Sequence, residues 1–372
     1  MTRCHYWAIN LLVVFSIYLG ATALRVDARN RRLKKPPKWF DILVVIGDLT
    51  FMACVPFAVL RNMSHGQLYL KNPVAKYANY ATILARFILI ALFALSRKRR
   101  DDQLSKWLEA MFDMQKFYFD RFKDIPKDTT HRKWLYLNGV FTGVHLTAVV
   151  NDIFSAFARG QASVAIDLYP LCGMLGIQHL FMLQHAILLC HLRECLSMLN
   201  NQLLLKCMDP KLGLIYSQTI VQLQELNRIY SPVNLWILVC LIISNSMAGF
   251  IGMLKVMLPQ TFNSNSYIYL FGNIFYFTLL LHMYLYFAIC DWVLVTAKET
   301  EIVLLDYASI RSMSRSNEEE IEKLALCRRL MRHDINICGM LNLNLNTLFS
   351  IVAQTTLYII IMIQIDYEYL NI

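Results

Sequence analysis

The chain has 372 residues, a formal net charge of +10, 57% apolar residues and a mean hydropathy of +0.42. Soluble domains run nearer about 45–50% apolar, so this composition argues against a soluble protein. The excess collects in runs of about 20 residues, the length of helix that crosses roughly 30 Å of hydrocarbon. These runs lack the period-two alternation of barrel strands, so helices are the expected form.

The first apolar stretch, 7–23, follows Arg3 and ends in Gly20-Ala21-Thr22-Ala23, the look of a secretory signal peptide. Cleavage there would send outward the seven basic residues that follow in 24–38. A helix lying in the cytoplasmic interface is the preferred reading; a further span and a signal peptide are the alternatives. Seven spans are then expected, at about 39–60, 77–95, 134–157, 164–190, 233–258, 267–295 and 348–365.

Lysine and arginine sort the connections. The segments 24–38, 97–133, 191–232 and 296–334 hold 7, 11, 4 and 7 of them, together 29, against 5 in the alternate connections. This asymmetry sets orientation. The cytoplasmic parts are read as 1–38, 96–133, 191–232 and 296–347, with the amino terminus cytoplasmic and the carboxyl terminus outside. Basic loops facing anionic lipid account for the charge, and nucleic-acid binding is not expected. Asn62-Met63-Ser64, a glycosylation acceptor pattern, falls in a connection assigned outside.

The cytoplasmic connections read as helices. Segments 104–122, 214–230 and 318–332 space apolar residues by three and four, and Glu319 and Lys323 form an i,i+4 pair in the last. One membrane-embedded domain with an extended helical cytoplasmic region is therefore expected.

Chemistry for catalysis is not found. There is no phosphate-binding glycine loop, no H-E-x-x-H and no G-x-S-x-G. His179 and His185 are six residues apart and do not share a helix face as metal ligands. His145 and His282 read as packing residues. No enzyme and no cofactor are expected. None of the ten cysteines falls clearly in an outside loop, so no extracellular disulfide framework is expected. Arg86 stands midway along a span and needs a protein partner or water there.

The stretch 335–365 would make a helix of about 46 Å, longer than the hydrocarbon core. Asn342, Asn344, Asn346 and Thr347 interrupt it, which predicts a cytoplasmic helical part, a polar break and then a span over 348–365. Projected at about 100° per residue, Gln354, Leu357, Ile361, Gln364 and Glu368 share a stripe about 80° wide, with Tyr358 at its edge. From the pattern alone a polar packing seam against neighbouring spans is the stronger reading, and a pore lining the other.

This region resembles the insect gustatory receptor family. The likeness rests on Cys338-Gly339-Met340-Leu341-Asn342-Leu343-Asn344 and, thirteen residues on, Tyr358, five apolar residues and Gln364. The family's last span carries Thr-Tyr, five apolar residues and Gln-Phe. Here Leu357 stands for the Thr and Ile365 for the Phe. The resemblance implies a tastant-gated, non-selective cation channel, assembled as a homo- or hetero-tetramer with related subunits in the lipid bilayer. It places the protein in the plasma membrane, in dendrites of gustatory sensory neurons. It implies that the last helix lines the pore, with Ile361 at a hydrophobic gate, Gln364 near the outer constriction, and Leu357, Gln354 and Glu368 along the path. Asp366 and Glu368 would concentrate cations at the mouth.

The family's ligand pocket opens outward between the outer halves of the earlier spans. By depth, Tyr80, Thr147, Asn151, Asp152, Asp167, Tyr169, Asn245, Tyr269, Asn273 and Tyr276 are its candidates here, and a bitter-type tastant its expected ligand. Asp152 and Asp167 flank Arg159 and read first as its partners or as water-facing, second as an anchor for a cationic amine. The competing classes are a seven-helix G-protein-coupled receptor, opposed by the charge sorting, and a secondary transporter or membrane-embedded acyltransferase. Either of the latter needs half repeats or intramembrane acid–base pairs that the sequence lacks.

Overall fold

The structure is a computed structural model that describes residues 22, 25–27, 32–34, 37–65, 72–119, 130–158, 160, 162–204, 212–257, 266–309 and 334–370. Among them are seven long helices: α1 (Lys38–His65), α2 (Pro73–Phe117), α3 (Thr130–Ala158), α4 (Ala162–Leu204), α5 (Leu212–Met257), α6 (Ser266–Ser309) and α7 (Leu345–Leu370). The expected all-α membrane fold is what forms. Apart from Thr22, the stretch expected to lie in the interface, 7–23, is outside the described residues, as is 318–332.

Four of the helices run well past the expected spans. No glycine or interior proline separates 77–95 from the amphipathic segment that follows. The hydrogen-bond ladder therefore continues through both as the 45 residues of α2, about 67 Å at 1.5 Å per residue. Span and cytoplasmic helix are likewise one rod in α5, which runs through Pro232. Among the residues with described side chains, stretches of four helices are long and apolar enough to cross a membrane: Pro73–Phe117, Leu212–Leu254, Leu280–Leu304 and Leu345–Glu368. Asn62 does not lie in a loop; α1 continues to His65 and carries the whole Asn62-Met63-Ser64 triplet.

Helix α2 packs along α5, α4 along α6 and α3, α1 against α4, and α7 mainly against α5. One buried core joins α2, α4, α5, α6 and the start of α7. Phe93, Phe181, Leu189, Tyr230 and Phe287 lie in its middle, and Trp107, Leu196, Ile215 and Leu223 carry it into the half that bears the basic connections. In that half Trp107 Nε1–H donates to the Gln222 carbonyl at 2.8 Å, and the Arg193 guanidinium donates to Thr296 Oγ1 at 3.1 Å while lying over the Trp292 ring. The run Arg97-Lys98-Arg99-Arg100 divides by helical spacing. Arg97 turns inward to Asp41 at 3.3 Å and Arg100 covers the Phe93 ring at 4.1 Å, while Lys98 and Arg99 are exposed. Helix α1 shows Ile42, Leu43, Ile46 and Leu49 outward, as expected of a helix bordering lipid.

Two short hairpins complete the described structure. Strands β1 (Arg25–Asp27) and β2 (Arg32–Lys34) pair antiparallel within the basic amino-terminal segment, where the sequence pattern gave no sign of strands. Strands β3 (Asn336–Ile337) and β4 (Leu341–Asn342) pair just ahead of α7. The helical part expected at the start of 335–365 is therefore absent. The backbone turns back through Cys338 (φ 50°) and Gly339 (φ 76°), a left-handed pair that no right-handed helix contains. Asn344 then starts α7: its Oδ1 accepts from the Thr347 N–H at 2.9 Å.

A Cβ at residue 339 would meet nothing within 4 Å, so its cost is purely conformational. Gly339→Ala is expected to destabilise the protein by about 1 kcal/mol, read as a lowered melting temperature of the purified protein. An unchanged or raised melting point would show that this turn tolerates a side chain.

Candidate functional site: the outward face of the last helix and the buried polar seam

Helix α7 has two sides. Leu348, Ile351, Thr355 and Asp366 are buried against the bundle. Gln354, Leu357, Ile361, Gln364 and Glu368 are exposed, with Leu357 at 54% and Ile361 at 39%. At about 100° per residue the two sets lie roughly 140° apart. The stripe therefore does not pack against this chain's own spans, which removes the intramolecular seam as its explanation. Tyr358 is exposed beside it. Asp366 departs from expectation: it is buried and accepts a hydrogen bond from Asn72 Nδ2 at 2.6 Å, leaving Glu368 as the carboxylate of that pair on the exposed face.

Both ends of α7 are tied to α2 or α5. At the start, the β3–β4 hairpin docks on α5, where Asn227 Nδ2 donates to the Asn336 carbonyl at 2.8 Å. Ser231 Oγ accepts from the Cys338 N–H. Gly339 sits in this turn, away from the stripe. At the far end, Met362 and Ile363 pack on Ala75, Met247, Phe250 and Leu254 beside the Asn72–Asp366 bond.

The ligand candidates do not share one environment. Tyr80, Thr147 and Asn151 are exposed, and the Thr147 hydroxyl donates back to the Gly143 carbonyl of its own helix at 2.8 Å. Asn245 is buried on α5. Asp152, Asp167, Tyr169, Tyr269, Asn273 and Tyr276 lie in α3, α4 and α6, with side chains outside those described. The intramembrane Arg86 donates to Ser244 Oγ of α5 at 3.1 Å, which is the structural partner its position required.

Sequence reasoning missed a buried polar seam across α3, α4, α5 and α6. His185 Nδ1 lies 2.6 Å from Tyr286 Oη and 3.3 Å from Asn234 Nδ2. The amide nitrogen can only donate, so Nδ1 accepts, Tyr286 donates its O–H, and the ring proton sits on Nε2. The His185 ring stacks on Tyr230 at 4.4 Å. One turn along α6 from Tyr286, His282 meets Thr142 Oγ1 at 3.4 Å and the His179 ring edge-on at 4.6 Å. His179 and His185 thus serve different partners, and no group of three metal-binding side chains occurs among the described residues. The signal in the sequence was the i,i+4 pairs Asn138/Thr142 and His282/Tyr286, polar residues repeating on one face of an apolar helix. Away from this seam, a groove of about 360 Å³ lies between α2 and α5 in the basic half, lined by Asp113, Met114, Phe117, Ser217, Gln218 and Val221.

A family model described as 7tm chemosensory receptor matches residues 9–369. The chain belongs to the 7tm chemosensory receptor family. Two solved structures of the insect olfactory receptor OR5 from Machilis hrabei share the fold. The one in complex with eugenol superposes with a TM-score of 0.68 at 12% identity, covering 97% of this chain and 99% of that one. The second OR5 structure gives 0.69 at 11% identity, covering 98% and 99%. No curated protein matches the sequence. The receptor is thus a membrane protein of a receptor family, not of an enzyme family, and at this identity the likeness speaks for the fold alone.

Tyr286→Phe removes the O–H that His185 Nδ1 accepts and keeps the ring. A loss of about 1 kcal/mol is expected for a buried neutral bond inside a membrane bundle, measured as reduced thermal stability in detergent. Stability equal to the wild type would mean the seam contributes nothing through this bond.

Proposed function

We propose that this receptor is a subunit of a tastant-gated, non-selective cation channel, and that α7 of each of four subunits lines a central pore. The supporting observation is the position of the stripe: Gln354, Leu357, Ile361, Gln364 and Glu368 lie on the side of α7 turned from its own bundle. Amides and a carboxylate facing hydrocarbon are costly. A water-filled axis shared by copies of the chain relieves that cost and gives the stripe a task. Ile361 serves as the hydrophobic gate, closing by expelling water; Gln364 narrows the outer passage; Glu368 draws cations to the mouth. The packed helical layer in the basic half is the region where the subunits hold together.

The sorting of lysine and arginine supports an amino terminus in the cytoplasm and a carboxyl terminus outside, with spans near those read from the sequence. The ligand is a small organic molecule entering between the outer halves of the earlier spans, among Tyr80, Thr147, Asn151, Asp152, Asp167, Tyr169, Asn245, Tyr269, Asn273 and Tyr276. The solved OR5 receptor, captured with eugenol, is consistent with that ligand class. A gustatory role, bitter-type tastants and a place in the dendritic plasma membrane of taste neurons follow from the resemblance of the last span to gustatory receptors.

Two experiments test this. Purified receptor in planar bilayers, alone and with related subunits, is expected to pass cation current when tastants are added. Ile361→Ala and Gln364→Ala are expected to change leak, unitary conductance or selectivity. Unaltered conductance and selectivity in both variants would remove α7 from the pore. Separately, epitope tags at the two ends are expected to be readable in intact cells at the carboxyl end and hidden at the amino end. The reverse result would place the receptor in the G-protein-coupled topology instead.

A further inference from the structure

We propose that Asn72 and Asp366 form a clasp that holds the outer end of α7 back from the pore axis; this rests on the channel reading above. Asn72 does two things at once. Its backbone is extended (φ −119°, ψ 105°) and its Oδ1 accepts from the Ala75 N–H at 2.8 Å, so the side chain caps α2, with Pro73 completing the start. Its Nδ2 donates to Asp366 Oδ1 at 2.6 Å across 294 residues of sequence. Both residues are buried, at 8% and 3% exposure. The cap fixes the orientation of the amide, so Asp366 is gripped by a group that cannot swing away without uncapping α2.

The geometry gives the clasp a direction. Gln364 and Glu368 stand two residues on either side of Asp366, so each lies about 160° around the helix from it. A bond that draws Asp366 into the bundle therefore draws Gln364 and Glu368 away from whatever lies opposite. Helix α7 is also the least enclosed of the four candidate spans. Beyond the clasp, its outer end is held by the small apolar patch of Met362 and Ile363 on Ala75, Met247, Phe250 and Leu254. Such a patch is non-directional and permits sliding, whereas a hydrogen bond to a carboxylate sets position. Asn72 and Asp366 are accordingly positioning residues: they touch neither ion nor tastant, and set how far the mouth-lining side chains stand from the axis.

A swap tests the clasp. Asn72→Asp keeps a good cap but removes the donor and sets two carboxylates face to face. Asp366→Asn added to it restores a donor–acceptor pair with the roles exchanged. Asn72→Ser also keeps the cap and is too short to reach Asp366. In bilayer recordings, open probability at fixed tastant is expected to fall about ten-fold in N72D and N72S, the share of one hydrogen bond to a charged group. The swapped pair is expected to return to the wild-type value. A second readout needs no current. With Glu368→Cys as reporter in the purified receptor, a charged thiol reagent followed by mass shift is expected to react more slowly when the clasp is broken and normally in the swap. If the wild type passes no current, the channel reading fails, and the thiol rates still decide whether the clasp positions the helix end. Single variants that match the wild type in both readouts overturn the clasp. So does a swap that fails to rescue them. A change in melting temperature alone, with rates and currents intact, reduces the bond to a structural one and overturns the positioning role.

Discussion

A polar group placed in hydrocarbon has no water to bond, and this single deficit organises the molecule. It makes the backbone helical wherever the chain crosses lipid. It sends the guanidinium of Arg86 to Ser244 on the neighbouring helix, and it gathers His185, Asn234 and Tyr286 into one bonded group at the centre of the bundle. It also leaves a question on the surface of α7, where Gln354 and Gln364 find no partner face in their own bundle. The proposed arrangement of copies around a water-filled axis is an answer to it.

The last helix is tethered more by directional bonds at its ends than by enclosure along its length. Its start hangs from α5 through Asn227 and Ser231, by way of a hairpin whose left-handed turn at Cys338 and Gly339 fixes the angle of entry. Its far end is bonded to the cap of α2. Between these points one side packs and the other is free. Such an element can shift as a body at modest cost, which suits the gating role proposed for it. The hairpin and the polar seam also meet on α5: Asn227 and Ser231 hold the hairpin, and Tyr230 and Asn234, within a turn, touch His185.

Family membership and function stand on different ground. The fold is shared with an insect olfactory receptor along nearly the whole length of both chains, at 12% identity. At that identity the two chains reach one fold with largely different residues. What this chain does is argued from its own polar side chains, the exposed stripe on α7 and the buried seam around His185.

By itself the sequence determined the class and the family. Apolar run length is set by bilayer thickness, and the Gly339-to-Gln364 pattern is read along one segment. It also determined the stripe on α7, because helical periodicity places Gln354, Ile361 and Gln364 on one side without reference to any other helix. It did not show that α2 and α5 run unbroken past their apolar stretches: in α2 the absence of a breaker is a weaker signal than the presence of one, and in α5 Pro232 reads as a breaker that the helix runs through. It placed a helical part ahead of α7 where a hairpin forms, because 336–342 is apolar enough for a helix and only the turn at Cys338 and Gly339 makes it a hairpin. Which side of α7 faces the bundle, and that Asp366 turns inward to Asn72 while Glu368 stays exposed, only the tertiary structure decided. The reason is physical: a hydrogen bond across 294 residues depends on how α2 and α7 come to lie side by side, and no local periodicity carries that information.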